Sequence, residues 1–167
     1  MAKIGDLVRY GQSGVCRIDE IRTMKMADME KEYFVLTPLF KASSVLYVPC
    51  DNLDLVSKMR PLLTEGEIKP LIQAAKKADV EWIRDFRRRS ELSKKALASS
   101  NPMELLLLIR SIHEHRKEEG DAKRVHTTDD YFLRDAEMIF YSEVSFVCGK
   151  KVEEVAEKIK RALGITE

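Results

Sequence analysis

A chain of 167 residues suffices for one ordinary domain or two small ones, and 44% hydrophobic with 34% charged residues excludes wholesale disorder. A formal net charge of only +1 excludes a generally basic protein, so any nucleic-acid contact must come from a local patch. The longest apolar run, Leu105-Leu106-Leu107-Leu108-Ile109, is too short to cross a bilayer, and Met1-Ala2-Lys3-Ile4-Gly5-Asp6 lacks an apolar signal core; a cytoplasmic chain is expected.

Residues 1 to about 60 read as β-structure. Val8 and Tyr10 flank Arg9 in an alternating run that meets the turn-rich Gly11-Gln12-Ser13-Gly14. Val15 to Ile21, Lys31 to Leu36 and Val45 to Val48 follow as strand-length runs. Met24 to Glu30 reads as a hairpin loop, and Pro49 ends the last strand. Strands this short must close upon themselves or lean on another layer to bury a core, which points to a small, strongly bent barrel. Cys16, Cys50 and Cys148 are odd in number, far apart and outside any CxxC pair, so buried free thiols are expected instead of a disulfide or zinc site.

From Thr64 the texture changes. Thr64-Glu65-Gly66-Glu67 has the form of a capping box and opens a helix through about Lys77. A second helix is expected from about Asp79 to Ala98. Asn101-Pro102-Met103-Glu104 starts a third, with Leu105, Leu108, Ile109 and Ile112 on one face and an end before Gly120. The fourth begins near Thr127, carries Phe132, Leu133, Ala136, Ile139, Phe140 and Val144, and closes at Gly149. The last runs from Val152 to Gly164. The expected fold is therefore α+β: a β module over 1–60 followed by a bundle of about five helices over 61–167.

The chain offers no constellation for catalysis. Its glycines form no phosphate-cradling loop, and no serine sits in a GxSxG elbow. His113 and His115 are two apart, so on a helix they diverge, and with His126 they read as exposed surface histidines. No enzyme activity, cofactor, metal or small-molecule substrate is expected; a small hydrolase would need a polar pocket that no motif advertises.

The second helix rises above this background. Between Arg84 and Lys95 stand six basic residues against two acids, Asp85 and Glu91. At about 100° per residue, Trp82, Ile83, Phe86 and Leu97 gather on one side and Arg84, Arg87, Arg88, Lys94 and Lys95 opposite, with Arg89 alone among the apolar residues. The basic face is either an ordinary solvated surface or a phosphate-tracking one. Trp82 is either core or an aromatic stacked on an unpaired base.

Gly5-Asp6-Leu7-Val8-Arg9-Tyr10, Gly14-Val15, Glu32-Tyr33-Phe34-Val35-Leu36, Val48-Pro49 and Asn52 together resemble the RNA-polymerase-interacting module of CarD and CdnL regulators, shared with transcription-repair coupling factors. Glu81-Trp82-Ile83 with the Arg-rich run, Ala98-Ser99-Ser100-Asn101-Pro102-Met103-Glu104-Leu105 and Tyr141-Ser142-Glu143 resemble the helical half of CarD proteins, in the version found in Firmicutes. The resemblance implies a Tudor-like barrel that docks on the RNA polymerase β-subunit lobe and a helical domain that contacts promoter DNA at the upstream edge of the bubble. It implies DNA contacts by Trp82, Arg84, Phe86, Arg87, Arg88, Lys94 and Lys95, with either Trp82 or Phe86 as the residue at the melted edge. Tyr47 stands where relatives carry a basic polymerase contact, which shifts that role to other groups, Arg22 or Lys25, together with strand pairing. A binding module of another class, a stress adaptor using the barrel for a protein partner without DNA, is the second reading.

Overall fold

The computed structural model describes residues 2–40, 44–120 and 126–165. The chain divides into two compact units, Met1–Leu62 and Leu63–Glu167.

The first unit holds β1 (Leu7–Tyr10), β2 (Val15–Met26), β3 (Met29–Pro38), β4 (Leu46–Pro49), a one-turn helix α1 (Leu53–Val56) and β5 (Met59–Pro61). The strands form one antiparallel sheet in the order β4-β3-β2-β1-β5. It is open, with β4 and β5 as its edges, which corrects the expected closed barrel. The edge strands are only four and three residues long. Instead of closing strand to strand, the sheet bends at an irregularity between Ile18 and Glu20. Its core of Val8, Cys16, Ile18, Phe34, Leu36, Val48 and Met59 is covered in part by Leu55 and Val56 of α1. The Asn52 side chain starts that helix by accepting a hydrogen bond from the Leu55 N–H (3.1 Å).

The expected loop at Met24–Glu30 is instead strand almost throughout. The β2–β3 ladder continues through Met24↔Lys31, Lys25↔Glu30 and Met26↔Met29, leaving only Ala27 and Asp28 as the turn. The one pair of opposite charges, Lys25 facing Glu30, favours this extension, and a ribbon wet on both faces leaves no apolar alternation to read. Ala27 carries a positive φ of 53°, where a side chain is strained.

The second unit contains α2 (Glu65–Lys77), α3 (Phe86–Ala98), α4 (Pro102–Glu119), α5 (Thr127–Cys148) and α6 (Val152–Leu163). The capping box of Thr64 and Glu67 is present, and Asn101 accepts from the Met103 N–H (3.0 Å) ahead of Pro102. Phe132, Leu133, Ala136, Ile139, Phe140 and Val144 of α5 are buried against Leu105, Leu106, Ile109 and Ile112 of α4 and Val155, Ile159 and Leu163 of α6. The connection at 121–125 between α4 and α5 lies outside the described residues.

The second helix differs from expectation at its start. It begins at Phe86, and residues 79–85 are irregular. Two arginines, the buried Arg110 and the half-buried Arg89, take carbonyls that a continuing helix would use. Arg110 of α4 donates to the carbonyls of Ala75 and Ala78, satisfying the end of α2. Arg89 donates to the carbonyls of Ile83 (2.6 Å) and Arg84 (3.2 Å). Asp85 then caps α3 by accepting from the Arg88 N–H (2.7 Å).

Candidate functional site

Because α3 starts late, Trp82 precedes the helix, and its grouping with Phe86 and Leu97 on one helical face does not hold. Leu97 is core, whereas Phe86 is 40% exposed and Trp82 half-buried. Trp82 and Phe86 meet through Arg89 instead. The Arg89 guanidinium carbon lies 4.3 Å from the Trp82 ring centroid and 5.5 Å from that of Phe86. His115 of α4 stacks on Trp82 with centroids 3.8 Å apart and planes 7° from parallel. His126 stacks on Phe86 at 4.1 Å and 31°. Two groups this close to one ring centroid cannot share a face, so Trp82 is sandwiched between His115 and Arg89. The five side chains form one column in the order His115, Trp82, Arg89, Phe86, His126.

Asp129, only 1% exposed, accepts both Nε–H and Nη2–H of Arg89 at 3.0 and 2.8 Å. This pair removes Arg89 from the basic face. The three histidines are structural partners and not merely solvated surface groups: His113 hydrogen-bonds Glu137 (3.0 Å), and His126 also accepts from the Thr128 N–H at the start of α5. Burial pushes the Glu137 carboxyl up, but the His113 hydrogen bond and the nearby Lys160 outweigh it and hold its pKa below the ordinary value.

The remaining cations stand outward. Arg87, Arg88, Lys94 and Lys95 lie within about a third of the circumference of α3, since seven residues make two turns, and Arg84 precedes them. All five are exposed, and none has a carboxylate within ion-pair distance among the described residues. A groove of about 520 Å³ opens beside them, lined by Trp82, Ile83, Leu92, Leu107, Leu108 and Lys95 among others.

In the first unit, Arg22 and Tyr47 come together across β3, with Arg22 Nη1 donating to the Tyr47 hydroxyl at 3.4 Å and Nη2 paired with Glu20. Lys25 is three residues on, so strand alternation sends it to the other face of the ribbon, opposite Glu30. Beyond the short reach of β1, the outer side of β2 from Glu20 to Met26 pairs with no further strand among the described residues. Ile21, Met26 and Met29 are exposed on this ribbon. Of the three thiols, Cys16 is buried while Cys50 and Cys148 are only partly so.

The sequence of this first unit has a counterpart among known families. Residues 3–62 match the family model for the CarD-like/TRCF RID domain, a span that coincides with the first compact unit. The first unit is therefore similar to the CarD-like/TRCF RID domain, and the match ends where the helical unit begins. A CarD-like domain gives it a transcription-related protein-interaction role. No curated protein matches the chain.

One feature of the site escaped the sequence. Asp129 reads as one more acid in the first turn of α5, and nothing local marks it as the partner of a residue 40 positions earlier. Arg89 did leave a signal, as the single cation on the apolar side of its helix.

Proposed function

We propose that the protein is a regulator of transcription initiation. Its CarD-like domain binds the RNA polymerase β-subunit lobe through the open β2 edge and the Arg22–Tyr47 cluster, where main-chain pairing supplies affinity. Its helical unit lays Arg84, Arg87, Arg88, Lys94 and Lys95 along the phosphates of promoter DNA at the upstream edge of the bubble. Such contacts position the protein without reading sequence. The observation that carries this reading is the pairing of a CarD-like domain with a second unit bearing five outward cations, without ion-pair partners among the described residues, beside an aromatic column.

The column refines which ring meets the melted edge. Trp82 has both faces filled, and freeing one means displacing the half-buried His115 of α4 or the paired Arg89. Phe86 is more exposed and is covered by His126, itself an exposed residue. Phe86 therefore exchanges its histidine for an unpaired base at lower cost. One base–aromatic contact is worth about 1–3 kcal/mol, or roughly 5- to 150-fold in the open-promoter equilibrium, which suffices for regulation without catalysis.

Open-complex lifetime, measured with the parent, Trp82→Ala and Phe86→Ala proteins, tests the DNA half of the proposal. Phe86→Ala is expected to shorten it; equal lifetimes with both folded variants would overturn the aromatic contact. A pull-down with the isolated β-lobe fragment tests the other half, and no association at micromolar concentration defeats it.

The filled faces of Trp82 favour a second reading, a protein-interaction adaptor that leaves DNA alone. Fork-DNA binding that is absent, or insensitive to salt and to replacing Arg87 and Arg88, selects it.

A further inference from the structure

The helical unit carries a second feature away from α3. A groove of about 1050 Å³ is lined by residues of α2, the end of α5 and α6. Its apolar lining includes Ile68, Ile72, Val144, Val155 and Ile159, none more than 8% exposed. Those side chains are recessed, not projecting. Such a floor gives a flexible hydrocarbon chain apolar surface on several sides, while the choice between it and a peptide helix rests on the charges at the groove mouth.

The charged lining has one sign, with Gln73 as its neutral polar neighbour. Lys69, Lys76 and Lys77 line the groove from α2, and Lys150 and Lys158 from the α6 side. Lys150 and Lys158 share a single carboxylate, Glu154, at 3.7 and 2.7 Å. The three α2 lysines have no carboxylate within ion-pair distance among the described residues. Five ammonium groups against one carboxylate make the groove mouth cationic, whereas the whole chain is nearly neutral. An apolar slot of this size with a few convergent polar groups has the form of a small-molecule site.

We infer that this groove binds an anionic amphiphile, a single acyl chain lying in the recessed slot with its negative head among Lys69, Lys76 and Lys77. The inference stands apart from the polymerase and DNA reading, because it uses none of those residues.

Cys148 lines the same groove and is partly exposed, so it reports occupancy. The full-length protein is treated with iodoacetamide alone or with dodecanoate, dodecyl phosphate, dodecanol or dodecyltrimethylammonium, each below its micelle concentration. Modification of Cys148 is followed by peptide mass spectrometry, with Cys50 as internal control. Dodecanoate and dodecyl phosphate are expected to slow Cys148 at least several-fold while Cys50 is unaffected; whichever protects at lower concentration identifies the carboxylate or the phosphate head. Charge reversal in Lys76→Glu/Lys77→Glu is expected to weaken protection roughly tenfold, as losing a charge-assisted contact would. Ala162→Phe, at another lining position, should block the slot while leaving the lysines in place. Equal protection by dodecanol or by the cationic chain overturns the proposal. So does an unprotected Cys148 at saturating dodecanoate, or protection by an acidic amphipathic peptide alone. Circular dichroism and the unfolding midpoint of each variant show whether it is folded, and failure of one leaves the other to decide.

Discussion

Arg89 and Asp129, 40 positions apart, form a two-point ion pair whose guanidinium plane also separates Trp82 from Phe86. One side chain thus joins α3 to α5, satisfies two carbonyls of the irregular segment and holds both aromatic rings. Breaking a buried pair leaves a charge without compensation, which costs about 3–5 kcal/mol. Arg89→Met and Asp129→Leu should each lower the unfolding free energy by that order, and the urea midpoint with it, while the double variant recovers much of the loss. The intrinsic fluorescence of Trp82, the single tryptophan, should change in Arg89→Met. Unchanged midpoints in both single variants would contradict the clamp.

Five outward cations fix a salt dependence. If all of Arg84, Arg87, Arg88, Lys94 and Lys95 meet phosphates, log affinity for DNA falls with log salt at a slope of about −4 to −5. Arg87→Ala/Arg88→Ala should make the slope shallower by about 2, uniformly across sequences. Binding isotherms over a salt series measure it, and a parent slope near zero rejects the phosphate-tracking face.

Glu137 gives the helical unit an acid-sensitive element. Its folded pKa lies below the ordinary 4.5, as the His113 hydrogen bond and Lys160 outweigh the opposing effect of burial. The unfolded chain therefore binds this proton more readily. The contribution is complete above about pH 5.5 and is lost as pH falls through the folded value. Glu137→Gln should flatten the acid limb of stability against pH below that window, which thermal melts from pH 3 to 7 would reveal.

The β2–β3 turn is strained at Ala27, whose φ of 53° suits glycine. Ala27→Gly should stabilise the first unit by about 1 kcal/mol, once relief of the left-handed strain is set against added freedom of the unfolded chain. Equilibrium unfolding checks this, and a destabilised variant would count against the turn.

Cys16 is shielded where the other thiols are not. Burial pushes its pKa up to about 12, so almost no thiolate forms at neutral pH. Alkylation of the folded chain at pH 8 should modify Cys50 and Cys148 and spare Cys16 until denaturant is added. Prompt labelling of Cys16 would show the sheet core to be open.

Readable along the chain were the change from β to helical texture, the caps at Thr64 and Asn101, the core face of α5, the α4 core face except for Leu106, which is buried in place of Leu108, and the basic run from Arg84 to Lys95. These are local properties: periodicity, N-cap chemistry and charge are carried by neighbours along the chain. The sequence also placed the CarD-like module, because that module's motifs follow one another in order over the first 52 residues. Only the tertiary structure decided that the sheet stays open, that α3 starts at Phe86, and that Trp82 and Phe86 share one guanidinium. The same is true of the lysine groove, whose lysines come from both ends of the helical unit. The physical reason is common to all four. Each depends on groups distant in sequence, and Arg110 and Arg89 override helix propensity in residues 79–85 by taking carbonyls that another helical turn would have used.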